Sequence, residues 1–355
     1  MHAAAGISVE ALQNWFTRQV SGCRLPLRVA LISGGHSNLT YRVDDAAGHS
    51  FALRRPPLGE VPRSAHDVLR EHRILAALQA TPVPVPRVEA CCSDLDVIGA
   101  PFYVMRWVEG RIPDRMEVLP QILPSAEARR RAAFSLVDGL AAMHRLDVDA
   151  IGLGGLGARE DYLLRQLTRL RRVWEATKTR ELPLIELLHE RLLANRPAQR
   201  HTGLVHADYR LGNVILAADG HIAAVLDWEL CALGDVLTDL AFLLNNWDQP
   251  TDPWENVWME IPPTRAGGFP SRDEMLLRYT DRTGFDVRDS VAYYQAFCYW
   301  RIAVIAEGIK RRYETGAMST QVADSEVLDR RVRGRAALAD QFLALAQEQR
   351  RASPK

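Results

Sequence analysis

The run from Leu204 to Glu229 constrains this chain most. It reads Leu-Val-His-Ala-Asp-Tyr-Arg-Leu-Gly-Asn-Val-Ile-Leu, then a short turn, then Ala-Val-Leu-Asp-Trp-Glu. His206, Asp208 and Asn213 fall in one loop, and Asp227 ends the apolar segment that follows the turn at Ala218-Asp219-Gly220. An H-x-D-x-x-x-x-N loop followed by an acid at a strand end is the layout phosphoryl transfer requires: a carboxylate beside the attacking hydroxyl, and an Asn and an Asp to hold magnesium.

Each residue type answers a chemical need. A carboxylate within ~3 Å of a hydroxyl accepts its proton and aligns its oxygen, which nominates Asp208. Magnesium keeps several waters and needs few protein oxygens, so Asn213 and Asp227 suffice, with Glu229 as a further candidate ligand. A lone Asp in such a loop would be read as an ordinary turn cap; the combination carries the assignment. His206 is expected to pack and hold the loop rather than act as base. Asp235 and Asp239, four residues apart, are expected to share a helix face and accept backbone N–H groups from the catalytic loop.

Periodicity divides the chain. Before about position 110, short alternating segments at Leu27–Ile32, Leu39–Val43, Ser50–Arg55, Arg87–Cys92 and Phe102–Val108 predict strands, with one helix over Ser64–Ala80 capped by Ser64. From Ser125 onward the pattern is helical: Ser125–Leu146, Asp161–Thr177, Leu184–Ala194, Asp235–Asn245, Ser271–Thr283, Ser290–Tyr313 and Ser325–Gln349. The expected organisation is an N-lobe over 1–109 and a C-lobe over 110–355, hinged near Glu109-Gly110. A cleft between a small sheet and a helical lobe is a usual place for a ligand.

The N-terminal half supplies candidates for that cleft. Ala52 and Arg54 lie i, i+2 on a strand and point to one face, as a small residue beneath a flat base and a cation on phosphates would. Glu71, in the following helix, is placed to pair with Arg54. The turn containing Gly34, Gly35, Ser37 and Asn38 offers backbone N–H groups to phosphates, and the segment carrying Met105 and Trp107 is placed to meet an adenine. Gly152–Gly157 is glycine-rich but follows no strand, so it is not a dinucleotide fingerprint.

Composition excludes several alternatives. Lys+Arg and Asp+Glu are both 44, so no global basic field argues for nucleic acid. The five cysteines have no disulfide or zinc spacing. No run approaches ~20 apolar residues, and the first residues lack a signal-peptide pattern. The expectation is a cytoplasmic protein with a small-molecule partner and neither nucleic acid nor membrane. Oligomeric state is left open.

The chain resembles the aminoglycoside phosphotransferase and choline kinase-like family. The resemblance rests on His-Ala-Asp-Tyr-Arg-Leu-Gly-Asn, Leu-Asp-Trp-Glu and Gly-Asp-Val-Leu-Thr-Asp-Leu-Ala. It is supported by Ser-Gly-Gly-His-Ser-Asn-Leu-Thr-Tyr, Phe-Ala-Leu-Arg-Arg-Pro-Pro, Arg-Glu-His-Arg-Ile-Leu and Ala-Pro-Phe-Tyr-Val-Met. More closely, it is similar to the branch fused N-terminally to some acyl-CoA dehydrogenases. The resemblance covers roughly residues 25–315 and implies an α+β, bilobal protein-kinase-like fold with a small antiparallel-sheet N-lobe and a larger, mainly helical C-lobe. It implies ATP and Mg2+ as cofactors, Asp208 as the catalytic Asp, Asn213 and Asp227 as metal ligands, and Glu71 as partner of the strand cation.

One departure stands out. That family usually carries Lys at the strand position held here by Arg54, and the only lysines are Lys178, Lys310 and Lys355. The resemblance therefore implies an ATP- and Mg-dependent phosphotransferase whose phosphate clamp is arginine, with a nucleotide-binding pseudokinase, acting as regulator or scaffold, as the alternative. Trp247, Trp254 and Trp258 with many arginines, against Asp248, Asp252, Glu255 and Glu260, suit an anionic hydroxyl acceptor with an apolar part. The fusion partners of the branch imply a hydroxyacyl-CoA or hydroxy acid.

Overall fold

The computed structural model describes residues 5–33, 38–58, 67–253, 262–316 and 325–352. Gly34, Gly35, Ser37, Ser64, Trp254, Glu255, Trp258, Glu260 and Lys355 lie outside the described residues.

The first half is built on one antiparallel sheet. Its strands are β1 (Arg28–Ser33), β2 (Leu39–Asp44), β3 (Ser50–Arg55), β4 (Val88–Cys92) and β5 (Phe102–Arg106), in spatial order β1-β2-β3-β5-β4. Period-two alternation gives the sheet two distinct faces. Tyr41, Val43, Phe51, Leu53, Phe102 and Val104 form an outer core, capped by Leu12, Trp15 and Phe16 of an N-terminal helix, α1 (Val9–Gln19), and by Val97 and Ile98 of the single turn α3 (Leu95–Ile98). The sequence reading had one helix here. α1 lies outside it, although Leu12, Trp15 and Phe16 have helical spacing, and each buried side chain of this size contributes roughly 1.5–3 kcal/mol.

The inner face carries the cleft. Ala52 pairs with Met105 and Arg54 with Tyr103 across β3 and β5, so all four share that face. Against it packs α2 (Val68–Leu78), whose Val68, Ile74, Leu75 and Leu78 join the core of the helical half. α2 begins later than expected. Its N-cap is Asp67, whose carboxylate accepts the Arg70 N–H at 2.9 Å, rather than Ser64.

The helical half comprises α4 (Leu119–Ile122), α5 (Ala126–His144), α6 (Tyr162–Thr177), α7 (Pro183–Ala194), α8 (Leu237–Asn245), α9 (Arg272–Thr283), α10 (Val291–Glu314) and α11 (Ser325–Ala352). Ser125 caps α5 by accepting the Ala128 N–H, and Ser271 with Glu274 forms a capping box on α9. α10 is buried along most of its length and forms the axis of this half. Two small antiparallel pairs belong to this half: β6 (Thr202–Val205) with β9 (Ala232–Asp235), and the hairpin of β7 (Val214–Leu216) with β8 (Ile222–Val225).

The β7–β8 hairpin makes backbone hydrogen bonds with the segments on either side of the sheet's last two strands. Arg111, just past β5, exchanges both backbone hydrogen bonds with Leu216 of β7, at 3.0 and 2.9 Å. Gly110 precedes it at φ 145°; a Cβ there would meet the Leu216 carbonyl oxygen and Ile215 Cγ2. Val225 N–H donates to the Pro84 carbonyl at 2.8 Å.

Candidate active site

The hairpin geometry brings the acids together. The loop between β6 and β7 carries His206, Asp208 and Asn213, and β8 returns antiparallel to β7, so Leu226 N–H donates to the Asn213 carbonyl at 2.8 Å. Asp227 follows directly, in the left-handed region at φ 67°. Ala207, before Asp208, is also left-handed at φ 70°. Such non-glycine conformations cost of order 1–3 kcal/mol and persist where neighbours over-determine them.

Those neighbours are identifiable. Asp239 of α8 accepts His206 N–H at 2.6 Å on Oδ2 and Ala207 N–H at 2.8 Å on Oδ1. His144, at the end of α5, stands 3.5 Å from Asp239 Oδ2, with its other ring nitrogen 2.7 Å from the Tyr279 hydroxyl. Burial holds the His144 imidazole below its usual pKa, against the pull of Asp239. His206 bridges the two loops: Nδ1 accepts Asp208 N–H at 3.2 Å, and Nε2 donates to the Leu226 carbonyl at 2.9 Å. Those roles require the neutral Nε2–H tautomer and leave no ring nitrogen for proton transfer. Asp235 does not share the α8 face with Asp239. It ends β9, accepts Leu237 N–H at 3.3 Å and takes the Tyr294 hydroxyl at 2.7 Å.

Asp208 and Asn213 are joined. Asn213 Nδ2 donates to Asp208 Oδ2 at 2.6 Å and to its carbonyl at 2.9 Å. The amide is thereby fixed with its oxygen as the end left for a cation. Burial pushes the Asp208 carboxyl above the usual range, offset in part by Arg210, whose Nε lies 3.5 Å from Oδ1.

From the sheet side, Arg54 reaches into the same place. Its Nε lies 3.0 Å from Glu71 Oε2, its Nη2 2.7 Å from Asp227 Oδ1 and 3.7 Å from Glu229 Oε2. Burial alone would lower the guanidinium pKa; Glu71 and Asp227 outweigh it and raise it. Burial raises the Glu71 carboxyl despite Arg54, while the Trp228 N–H and the Tyr103 hydroxyl donate to it. Glu229 is pushed up to about 7 by burial and by the Asp227 charge beside it. Asn38 is buried, with Nδ2 3.5 Å from Glu229 Oε2 and an oxygen that has no partner among the described residues. Met105 is buried on the inner face opposite Ala52. Trp107 lies under Arg42, whose guanidinium is 4.7 Å from the indole centre.

The donor set suits a magnesium–nucleotide complex. Among the described residues no three His, Cys, Asp or Glu side chains converge as a self-sufficient metal cage. Hard oxygens from Asn213 and Asp227, facing a cationic Arg54, fit an ion that takes its remaining ligands from phosphates and water.

Beyond Asp208 opens a cavity of about 410 Å³, lined by Asp208, Arg210, Phe242, Asn246, Tyr299 and Arg335 among others. A wider depression of about 530 Å³ beside α6 shares no residue with the 206–213 loop. Sequence reasoning missed Arg210 and Arg335 as cavity residues. It also weighed Asp248 and Asp252 as acceptor-facing acids, but they turn inward: Asp248 faces Arg265 and Asp252 pairs with Arg272. Trp247 is buried, its indole N–H on the Pro270 carbonyl at 2.9 Å.

A small antiparallel sheet over a helical half, with the Asp208–Asn213 loop and the strand-end Asp227 between them, defines the kinase-like class of folds. A model of the phosphotransferase enzyme family (APH) matches residues 28–286, and the chain belongs to that family. It is 34% identical over 301 residues to mouse acyl-CoA dehydrogenase family member 10, covering 84% of this chain and 28% of that protein. The chain thus spans less than a third of that relative's length. Among solved structures, a candidate aminoglycoside phosphotransferase from Ralstonia eutropha superposes with TM-score 0.79 at 29% identity, over 96% of this chain and 98% of that one. Amicoumacin kinase, solved in complex with AMP-PNP, Ca2+ and Ami, shares the fold with TM-score 0.60 at 16% identity, over 94% of each chain. No helix among the described residues is long and apolar enough to cross a membrane.

Proposed function

We propose that this protein transfers the γ-phosphate of ATP, with magnesium, to a hydroxyl of a small anionic molecule, a hydroxy acid or hydroxyacyl-CoA. The observation that carries the reading is the convergence of Asp208, Asn213 and Asp227 in one cleft, with Arg54 reaching Asp227 from the sheet. Asp208 holds the acceptor hydroxyl and takes its proton; its raised pKa makes it a better base than a free Asp. Asn213 and Asp227 would hold the metal, with Glu229 beside them. When bound, the ion neutralises charge on the phosphates. Arg54, braced by Glu71, supplies a fork of donors to the same phosphates. Asn38 covers them, and Ala52, Met105 and Trp107 form the wall for the base.

The cavity supports this acceptor class. Arg210 and Arg335 line it with Phe242, Ile302 and two prolines. That mixture suits an anionic group on an apolar chain better than a polycationic sugar. The relative's name, an acyl-CoA dehydrogenase, agrees with an acyl-CoA acceptor. A coupled ADP assay over hydroxyacyl-CoAs, free hydroxy acids, aminoglycosides and choline tests the reading. Acceptor-dependent ADP release with the anionic hydroxy compounds is expected. Magnesium-dependent ATP binding without release for any acceptor would favour the regulator or scaffold role, which Arg54 in place of lysine also suits.

A further inference from the structure

Arg301 is the unusual residue of α10. Its stretch Ala296–Ala306 is otherwise apolar or aromatic, yet Arg301 is only 8% exposed. A buried cation is expensive unless its donors are used. No carboxylate among the described residues lies within ion-pair distance of Arg301. Its Nη2 donates instead to the Ala207 carbonyl oxygen at 2.7 Å, and its guanidinium lies 5.6 Å from the centre of the Phe242 ring.

The placement of that bond matters. Ala207 has a left-handed backbone. The peptide plane entering it is held through its N–H by Asp239, and the plane leaving it, which carries the Asp208 N–H, is held through its carbonyl by Arg301. Pinning two successive planes fixes φ and ψ of the residue between them, and so fixes the direction from which the Asp208 side chain departs. A left-handed alanine that loses either bond is held less firmly against the ordinary regions; after loss of Arg301 only the His206 Nδ1 bond to Asp208 N–H, the longer of the two at 3.2 Å, still holds the leaving plane. Phe242, on which the guanidinium rests, also lines the acceptor cavity, as do Cys298, Tyr299 and Ile302 from the neighbouring positions of α10.

We propose that Arg301 is a positioning residue: by holding the Ala207–Asp208 peptide plane it aims Asp208, and through Phe242 it couples that aim to the wall of the acceptor cavity. The catalytic consequence rests on the phosphotransferase reading; the loop geometry does not.

Arg301→Met and Arg301→Lys test it, with two readouts. Hydrogen–deuterium exchange of peptides spanning 204–210 reports the loop, and ADP release from Mg-ATP, with water as acceptor, reports turnover. Arg301→Met is expected to raise exchange in that segment about tenfold, with the rest of the chain unchanged. It should lower kcat by roughly 10²-fold while the KM for ATP stays within about threefold. Arg301→Lys retains one charged donor and should recover part of both; it carries the test if the Met variant does not fold. Loop exchange and kcat within twofold of wild type in the variants would overturn the proposal, as would a uniform rise in exchange with no preference for 204–210. If the wild-type protein releases no ADP with water or with any acceptor of the panel, the phosphotransferase reading fails, and the exchange pattern still decides the role of Arg301.

Discussion

Arg54 and Asp227 are joined across the cleft, Nη2 to Oδ1 at 2.7 Å, by a guanidinium whose Nε stands 3.0 Å from Glu71. One planar side chain therefore spans two carboxylates from different elements, α2 and the end of β8. A single ammonium has no such fork. Arg54→Lys is expected to keep one of the two contacts and to weaken Mg-ATP binding about tenfold by calorimetry. Arg54→Met leaves Glu71 buried beside no cation, a change that costs roughly 3–5 kcal/mol and is read as a fall in Tm. A lysine variant that binds Mg-ATP as tightly as wild type would show that the fork is not what holds the phosphates.

The acids of the site were legible because their spacing is local. His206, Asp208, Asn213 and Asp227 sit within one loop–hairpin unit, and strand periodicity alone returns Asp227 to the loop. Ala52 and Arg54 were placed on one face by the same period-two argument, and the register with Met105 and Tyr103 bears it out. What failed to show is contact between distant segments. Arg301 and Arg335 lie 93 and 127 positions beyond Asp208 (301 − 208 and 335 − 208), and their partners are set by helix packing. A lone arginine in the apolar run Phe-Cys-Tyr-Trp-Arg-Ile-Ala-Val was the available signal. Asp235 was placed on a helix because it stands four residues before Asp239; pairing of β9 with β6 claims it for a strand end instead.

That strand-end position makes Asp235 a pH reporter. It is fully buried, and burial pushes its carboxyl up to about 6 from 3.8, although the Tyr294 hydroxyl and Leu237 N–H act against the rise. In the window between those values the folded protein retains a proton that the unfolded chain has released. The stabilisation is therefore full below about pH 4 and is lost as pH rises toward and through 6. Asp235→Asn, which cannot ionise, should flatten this part of the profile. Thermal melts of both proteins from pH 4 to 7 check it: the difference in Tm between variant and wild type should grow in favour of the variant as pH rises. A constant difference would rule out titration of Asp235 in that range.

Gly110 gives a test of the connection between the halves. At φ 145° its backbone disfavours any L side chain, and a Cβ would meet the Leu216 carbonyl oxygen and Ile215 Cγ2. Gly110→Ala must push β5 away from β7 or break the Arg111–Leu216 bridge. A cost of about 1–3 kcal/mol is expected, visible as a Tm lowered by several degrees. A variant with wild-type Tm would mean that the bridge adjusts without strain.

Asp208 separates catalysis from stability. Its carboxyl is raised by burial, so at neutral pH the folded protein holds a charge in a place that disfavours it. Asp208→Asn removes that charge and keeps an oxygen for the Asn213 amide, which donates to Oδ2 at 2.6 Å in the wild type. The variant should fold with a Tm equal to or above wild type at pH 7.5, and the gain should shrink as pH falls and the wild-type carboxyl takes up its proton. Turnover should nevertheless fall by about 10²–10⁴-fold, the usual contribution of a positioned base, with Mg-ATP binding retained, since Asn213 and Asp227 are untouched. A variant that loses stability and activity together would make Asp208 a structural residue of the loop. One that keeps its turnover would move the base elsewhere, and Glu229, a half-buried carboxylate pushed up to about 7 beside Asp227, would be the next group to replace.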